Sequence, residues 1–158
     1  MPLTLSSTAF PAGRTIPRRH TGDGENLSPA LAWTGLPPGT QELAIIVDDP
    51  DAPTPQPWVH WVLYKIPATE LALPEGAHAK PAPGFPAGAL QGKNSWGSIG
   101  YRGPEPPRGH GVHHYHFKIY ALDGALNVTA GLDKPGLLRA MKGHILEEAE
   151  LVGTYERK

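Results

Sequence analysis

Apolar side chains along this chain recur mostly with a period of two, and that period predicts strands. Leu43-Ala44-Ile45-Ile46-Val47 is short, largely branched and apolar on both faces, the pattern of a central strand covered from both sides. It stops abruptly at Asp48-Asp49-Pro50-Asp51-Ala52-Pro53. Trp58 to Ile66 reads as a second strand closed by Pro67, and Val112 to Leu122 as a third ended by Asp123-Gly124. Leu31 to Trp33 is a shorter one, followed by the turn residues Gly35-Leu36-Pro37-Pro38-Gly39. Leu151 to Tyr155 returns as a last strand.

Helical spacing occurs once. Leu137, Leu138, Met141, Ile145 and Leu146 fall three and four apart, and this face is expected to pack as ordinary core. Asp133 is placed to cap the first turn, where Pro135 loses nothing by lacking an N–H. Between Pro67 and Pro107 only brief apolar islands interrupt a run of Pro and Gly, a long connection of the functional or loosely ordered kind. No repeat or boundary divides the chain, so one domain over residues 1–158 is expected. The pattern sums to a β-sandwich or barrel with one appended helix.

Composition narrows the chemistry. The formal charge is -1 and charged residues make up 18%, so no basic field attracts nucleic acid. There is no cysteine, which removes disulfides, thiolate nucleophiles and cysteine-based metal sites together. The N-terminus carries no basic, apolar leader, and Leu43 to Val47 is far too short to cross a bilayer. A cytoplasmic protein is the expectation, and the sequon Asn127-Val128-Thr129 then carries no meaning. The 19 Gly and 19 Pro lie between apolar runs rather than in a repeat, as the loops of a β fold do.

Alternation then picks out candidate chemistry. In the third strand His113, Tyr115, Phe117, Ile119 and Ala121 share one face, and His114, His116, Lys118, Tyr120 and Leu122 the other. The first face is apolar at its far end, which makes it the inward one, with His113 and Tyr115 at its mouth. The same rule places His60 in one inward row with Val62 and Tyr64, and Asp49 at the end of Leu43, Ile45 and Val47. A single inward His is ordinarily a hydrogen-bonded core residue. Three rows that each end in a titratable group beside a Pro-rich loop point instead to a pocket. Two imidazoles and a phenol supply donors suited to an oxyanion, with Asp49 fixing the tautomer or charge of a neighbouring His.

These residues carry a family resemblance. Asp49-Pro50-Asp51-Ala52-Pro53 followed by His60-Trp61 resembles the first signature of the phosphatidylethanolamine-binding protein family. Gly103-Pro104-Glu105-Pro106-Pro107 followed by Gly111-Val112-His113-His114-Tyr115-His116-Phe117 resembles the second. Asp23-Gly24-Glu25-Asn26-Leu27-Ser28-Pro29, with Leu31 and Trp33, is similar to the N-terminal block of the bacterial and archaeal, Raf-kinase-inhibitor-like branch. The resemblance implies a mainly β sandwich of two antiparallel sheets with a short C-terminal helix, long Pro/Gly-rich loops and a small anion pocket. By position, Asp49, His60, His113 and Tyr115 would line that pocket, with Ala52, Pro53 and Pro107 as its wall. It also makes a homodimer reasonable. The chain departs from the family at His114, commonly Arg, at Thr21, often Cys, and at Glu105, where a family Cys gives way to a carboxylate that would make the rim more acidic.

The leading expectation is a non-enzymatic binding or regulatory protein, without cofactor, for phosphate-like or phosphorylated head groups. A protease inhibitor or other interaction module, with a kinase or protease as partner, is the alternative of another class. A metal hydrolase built on His60, His113 and Asp49 is the third, since His110, His114, His116 and Asp51 lie close by in sequence. Alternation turns His114 and His116 away from His113, and Gly97-Ser98-Ile99-Gly100 lacks the strand–turn–helix setting of a nucleophile elbow.

Overall fold

A computed structural model describes all residues, 1–158. The chain forms β1 (Thr4–Ser6), β2 (Leu31–Thr34), β3 (Glu42–Asp49), β4 (Trp58–Pro67), β5 (Ala72–Leu73), β6 (Leu90–Gln91), β7 (His113–Leu122), α1 (Lys134–Met141) and β8 (Ile145–Tyr155). Two antiparallel sheets result, one of three strands in the order β1-β2-β5 and one of five in the order β6-β4-β3-β7-β8. No helix is long and apolar enough to cross a membrane.

The absence of polar alternation in β3 has a simple cause: the strand is covered twice. Leu43, Ile45 and Val47 join a 20-residue core between the sheets, with Leu5, Trp33, Phe117 and Ile119. Ala44 and Ile46 join a 10-residue core on the opposite face, where Leu137 and Met141 of α1 meet Val62, Tyr64 and Leu122. The architecture is therefore sheet on sheet, with a single short helix on the outer face of the larger sheet.

Two expectations need correction. The helix ends at Met141 and buries only Leu137 and Met141; Leu138 turns outward at 37% exposure, and Ile145 and Leu146 belong to β8 and are 40% and 42% exposed, so these three are not helical core. Gly143, at φ 84°, turns the chain out of the helix in a conformation that other side chains resist. The apolar spacing of three and four continues across that glycine in the sequence, but the helix does not. The Asp133 cap holds, its carboxylate accepting from Gly136 N at 2.9 Å.

The second correction concerns His60. Val62 and Tyr64 face the helix, not the space between the sheets, so strict alternation would have placed His60 outside with them. The strand is irregular at this point: Val47 pairs with Trp61 and Asp48 with Val59, which leaves His60 as an extra residue. That β-bulge shifts the side-chain phase by one and brings His60 to the inner face beside Trp61. His60 therefore faces inward for a different reason from the one its sequence row implies.

Candidate functional site

β3, β4 and β7 meet at one end of the larger sheet. Asp49 is the last residue of β3, His60 lies at the bulge of β4, and His113 and Tyr115 open β7. Together with Ala52, Pro53 and Pro107 they line a cavity of about 240 Å³, so all seven sequence candidates meet there. Thr54, Trp58, Trp96, Glu105 and Pro106 complete the lining.

His113 Nδ1 donates to Asp49 Oδ2 at 2.6 Å, and Asp49 Oδ1 accepts from Asp51 N at 2.8 Å. A buried carboxylate needs such partners, because an unpaired one would cost several kcal/mol. His113 Nε2 lies 2.6 Å from His110 Nδ1. With both rings neutral, His110 donates to His113, and a chain runs Asp49, His113, His110.

His60 is held differently. Its Nδ1 donates to Arg102 O at 2.6 Å, which fixes the tautomer. Burial drives its pKa from 6.5 down to about 4, against the weaker upward pull of the Arg102 carbonyl and the Asp49 charge. The ring is neutral near pH 7 and offers an Nε2 lone pair. It packs edge-on against Trp96 and Tyr115, with ring centres 5.0 and 5.2 Å away. Burial first, then the charge of Asp49, pushes the Tyr115 phenol well above its ordinary value, so it stays protonated. Neither the Tyr115 hydroxyl nor His60 Nε2 has a partner in the protein, and neither is sealed from solvent. They are the free polar ends of the buried rings, and the indoles of Trp58 and Trp96 and the Glu105 carboxylate add further polar groups at the rim.

The expected outward residues do turn outward. His114 lies on the surface, where its backbone N and Nδ1 both donate to Asp51 Oδ2, at 2.8 and 2.7 Å. Burial would raise the Asp51 pKa, but the His114 hydrogen bonds outweigh it and hold the carboxyl lower. His114 thus ties the Pro-rich β3–β4 loop to β7. His116 pairs with Glu150 at 3.0 Å. Thr21 is buried and donates to Arg18 O at 2.8 Å, a local turn contact. Glu105 folds over Gly22, where any side chain would collide with its carboxylate.

Sequence reasoning missed three contributors. His110 stood only among possible metal ligands, although its place three residues before His113, between Gly109 and Gly111, was a usable signal. Trp96 comes from an apolar island in the long connection, and Arg102 stacks on its ring at 4.4 Å. For the metal reading on His60, His113 and Asp49, His113 spends Nδ1 on Asp49 and Nε2 on His110, and no three His, Asp or Glu side chains are placed to share an ion. A second cavity, about 270 Å³ beneath the Pro-rich connection, is lined by Trp61, Leu73, His78 and Phe85. Its one carboxylate, Glu75, is already paired with Arg19 at 3.0 Å.

The family model for "Phosphatidylethanolamine-binding protein" matches residues 6–156. The chain belongs to the phosphatidylethanolamine-binding protein family. A UPF0098 protein of Methanothermobacter thermautotrophicus is 46% identical over 155 residues, covering 98% of this chain and 99% of that one. Among solved structures, YbcL of E. coli, described as a member of the family, superposes with a TM-score of 0.93 at 35% identity, covering 100% of each chain. A family homologue from Chlamydia trachomatis matches with a TM-score of 0.89 at 39% identity, covering 99% of both. The resemblance carried by the two signatures and the N-terminal block is thereby borne out.

Proposed function

We propose that this family member is a non-catalytic binding protein whose cavity holds a small phosphate-like group, free or as part of a phosphorylated head group. The observation that carries the reading is the pair of unpartnered polar atoms, Tyr115 Oη and His60 Nε2, at the base of a walled cavity. Leaving such atoms unpaired costs free energy in a closed core and is tolerated where a ligand supplies the partner. Ala52, Pro53 and Pro107 stiffen the walls, so little further backbone entropy is lost on binding.

Turnover is not supported by the arrangement. An Asp–His pair resembles half of a nucleophile-activating triad, but His113 Nε2 meets another imidazole rather than a hydroxyl. Thr54, the one aliphatic hydroxyl on the cavity wall, donates to Gln56 O at 2.6 Å. The organisation as one domain is part of the same proposal, since both cores share β3.

Titration with inorganic phosphate, followed through the imidazole proton and nitrogen signals, tests the reading. Shifts at His60 and His113 with a saturable curve are expected. Unchanged rings at millimolar phosphate would sink it.

A further inference from the structure

The free groups of the cavity are not those of an ordinary anion site. Of the 12 residues lining it, none is Lys or Arg, and two, Asp49 and Glu105, are acidic. Both Asp49 oxygens are engaged, by His113 and by the amide of Asp51. His113 Nε2 is occupied by His110. Among the buried rings, what remains is the hydroxyl of Tyr115 as donor and the Nε2 lone pair of His60 as acceptor, the other His60 nitrogen being committed to the Arg102 carbonyl; the indole N–H groups of Trp58 and Trp96 and the Glu105 carboxylate add donors and an acceptor at the rim.

A group with acceptor oxygens only would satisfy Tyr115 but set an oxygen lone pair against His60 Nε2. It would also bring negative charge toward Asp49 and Glu105 with no cation on the cavity wall to offset it. A group bearing both an acceptor oxygen and an O–H meets both free ends and carries less charge. Resting on the binding reading above, we infer that the pocket selects the protonated form of its oxyacid, a hydrogen-phosphate or phosphomonoester monoanion. Its P–O⁻ accepts from the Tyr115 hydroxyl, and its P–OH donates to His60 Nε2. A phosphodiester, which has no P–OH, fits poorly whether it comes from a lipid or from a soluble head group.

The test compares ligands of equal charge that differ by that proton. Methyl phosphate at about pH 5.5 is mainly a monoanion with one O–H, since the second pKa of a phosphomonoester is about 6. Methyl sulfate is a monoanion of the same shape without it. His60 remains mostly neutral under these conditions, its pKa being about 4. Calorimetric titration should show methyl phosphate binding about tenfold tighter or better, the effect of one buried hydrogen bond left unmade. Dimethyl phosphate should bind as weakly as methyl sulfate. Equal affinity for methyl phosphate and methyl sulfate overturns the inference and leaves the anion pocket standing. If no probe binds, both readings fall.

Two variants locate the acceptor. His60→Phe keeps a ring in place and should bring the two affinities together, whereas Tyr115→Phe should weaken both ligands and preserve their ratio. Discrimination that survives in folded His60→Phe overturns the assignment. Should His60→Phe fail to fold, a ratio lost in Tyr115→Phe overturns it in the same way.

Discussion

Asp48 and Asp49 are neighbours on β3, both almost fully buried, yet they face opposite sides of the sheet and lead opposite lives. Asp48 meets the ammonium of Lys134 at 2.6 Å, from the first turn of α1 on the outer face. Asp49 has no cation. Its partners are an imidazole at 2.6 Å and a backbone amide at 2.8 Å, at the rim of the cavity. The first carboxylate is neutralised within the protein, and its interactions end there. The second anchors His113 and, through it, His110, beside the unpartnered Tyr115 hydroxyl and His60 Nε2. A buried charge that closes on a counter-charge is satisfied within the fold; one held by an imidazole and an amide at a cavity rim leaves the neighbouring rings facing that cavity.

The comparison can be broken most strongly at Asp48. Lys134→Met strands that carboxylate, and the loss is expected to be about 3 kcal/mol in urea denaturation, the scale for breaking a buried pair. Adding Asp48→Asn should restore much of it, which would show that the penalty is the orphaned charge rather than lost packing.

On the cavity side the largest effect is a pH dependence carried by His60. Its pKa falls from 6.5 in the open chain to about 4 in the folded state, so the unfolded chain binds more protons between these values. The contribution of His60 to stability is fully present above pH 6.5 and falls as the pH drops toward 4. At about 1.36 kcal/mol per pH unit, it amounts to about 3 kcal/mol. Denaturation at a series of pH values should show this slope in the native chain and not in His60→Phe.

Smaller effects separate architecture from site. Asp49→Asn removes the charge but not the shape, and about 1–2 kcal/mol of stability should go with the charge-assisted hydrogen bond to His113. Phosphate-induced shifts at the His113 ring should weaken in that variant. Tyr115→Phe deletes a hydroxyl that bonds nothing in the protein, so stability should stay within about 0.5 kcal/mol. Phosphate affinity should nonetheless drop about tenfold. A marked loss of stability in Tyr115→Phe would move that hydroxyl from the site to the scaffold.

Much of this was legible in the chain, and the failures have specific causes. Leu43 to Val47 read as a doubly covered strand because both of its faces are apolar, and two cores do cover it. The inward row of β7 read correctly because that strand is regular from His113 to Ala121. For His60 alternation gives the wrong row, since nothing in Trp58-Val59-His60-Trp61 announces a bulge. The helix was overrun because apolar spacing was weighed above Gly143. The short strands β1, β5 and β6 had too few residues to show a period.

The sequence by itself determined the strand periods of the larger sheet, the capped start of the helix, the signatures of the family and the residue types of the cavity. These are local properties, set by side-chain alternation, capping chemistry and proline. Tertiary structure alone decided the phase of His60, because a bulge is a mismatch between two strands and is written in neither. It also decided which nitrogens stay free. Arg102, His110 and Asp49 reach His60 and His113 from separate parts of the chain, and each takes a ring atom that would otherwise be free. Hydrogen bonds between distant segments are matters of distance and direction, and only the folded chain has those.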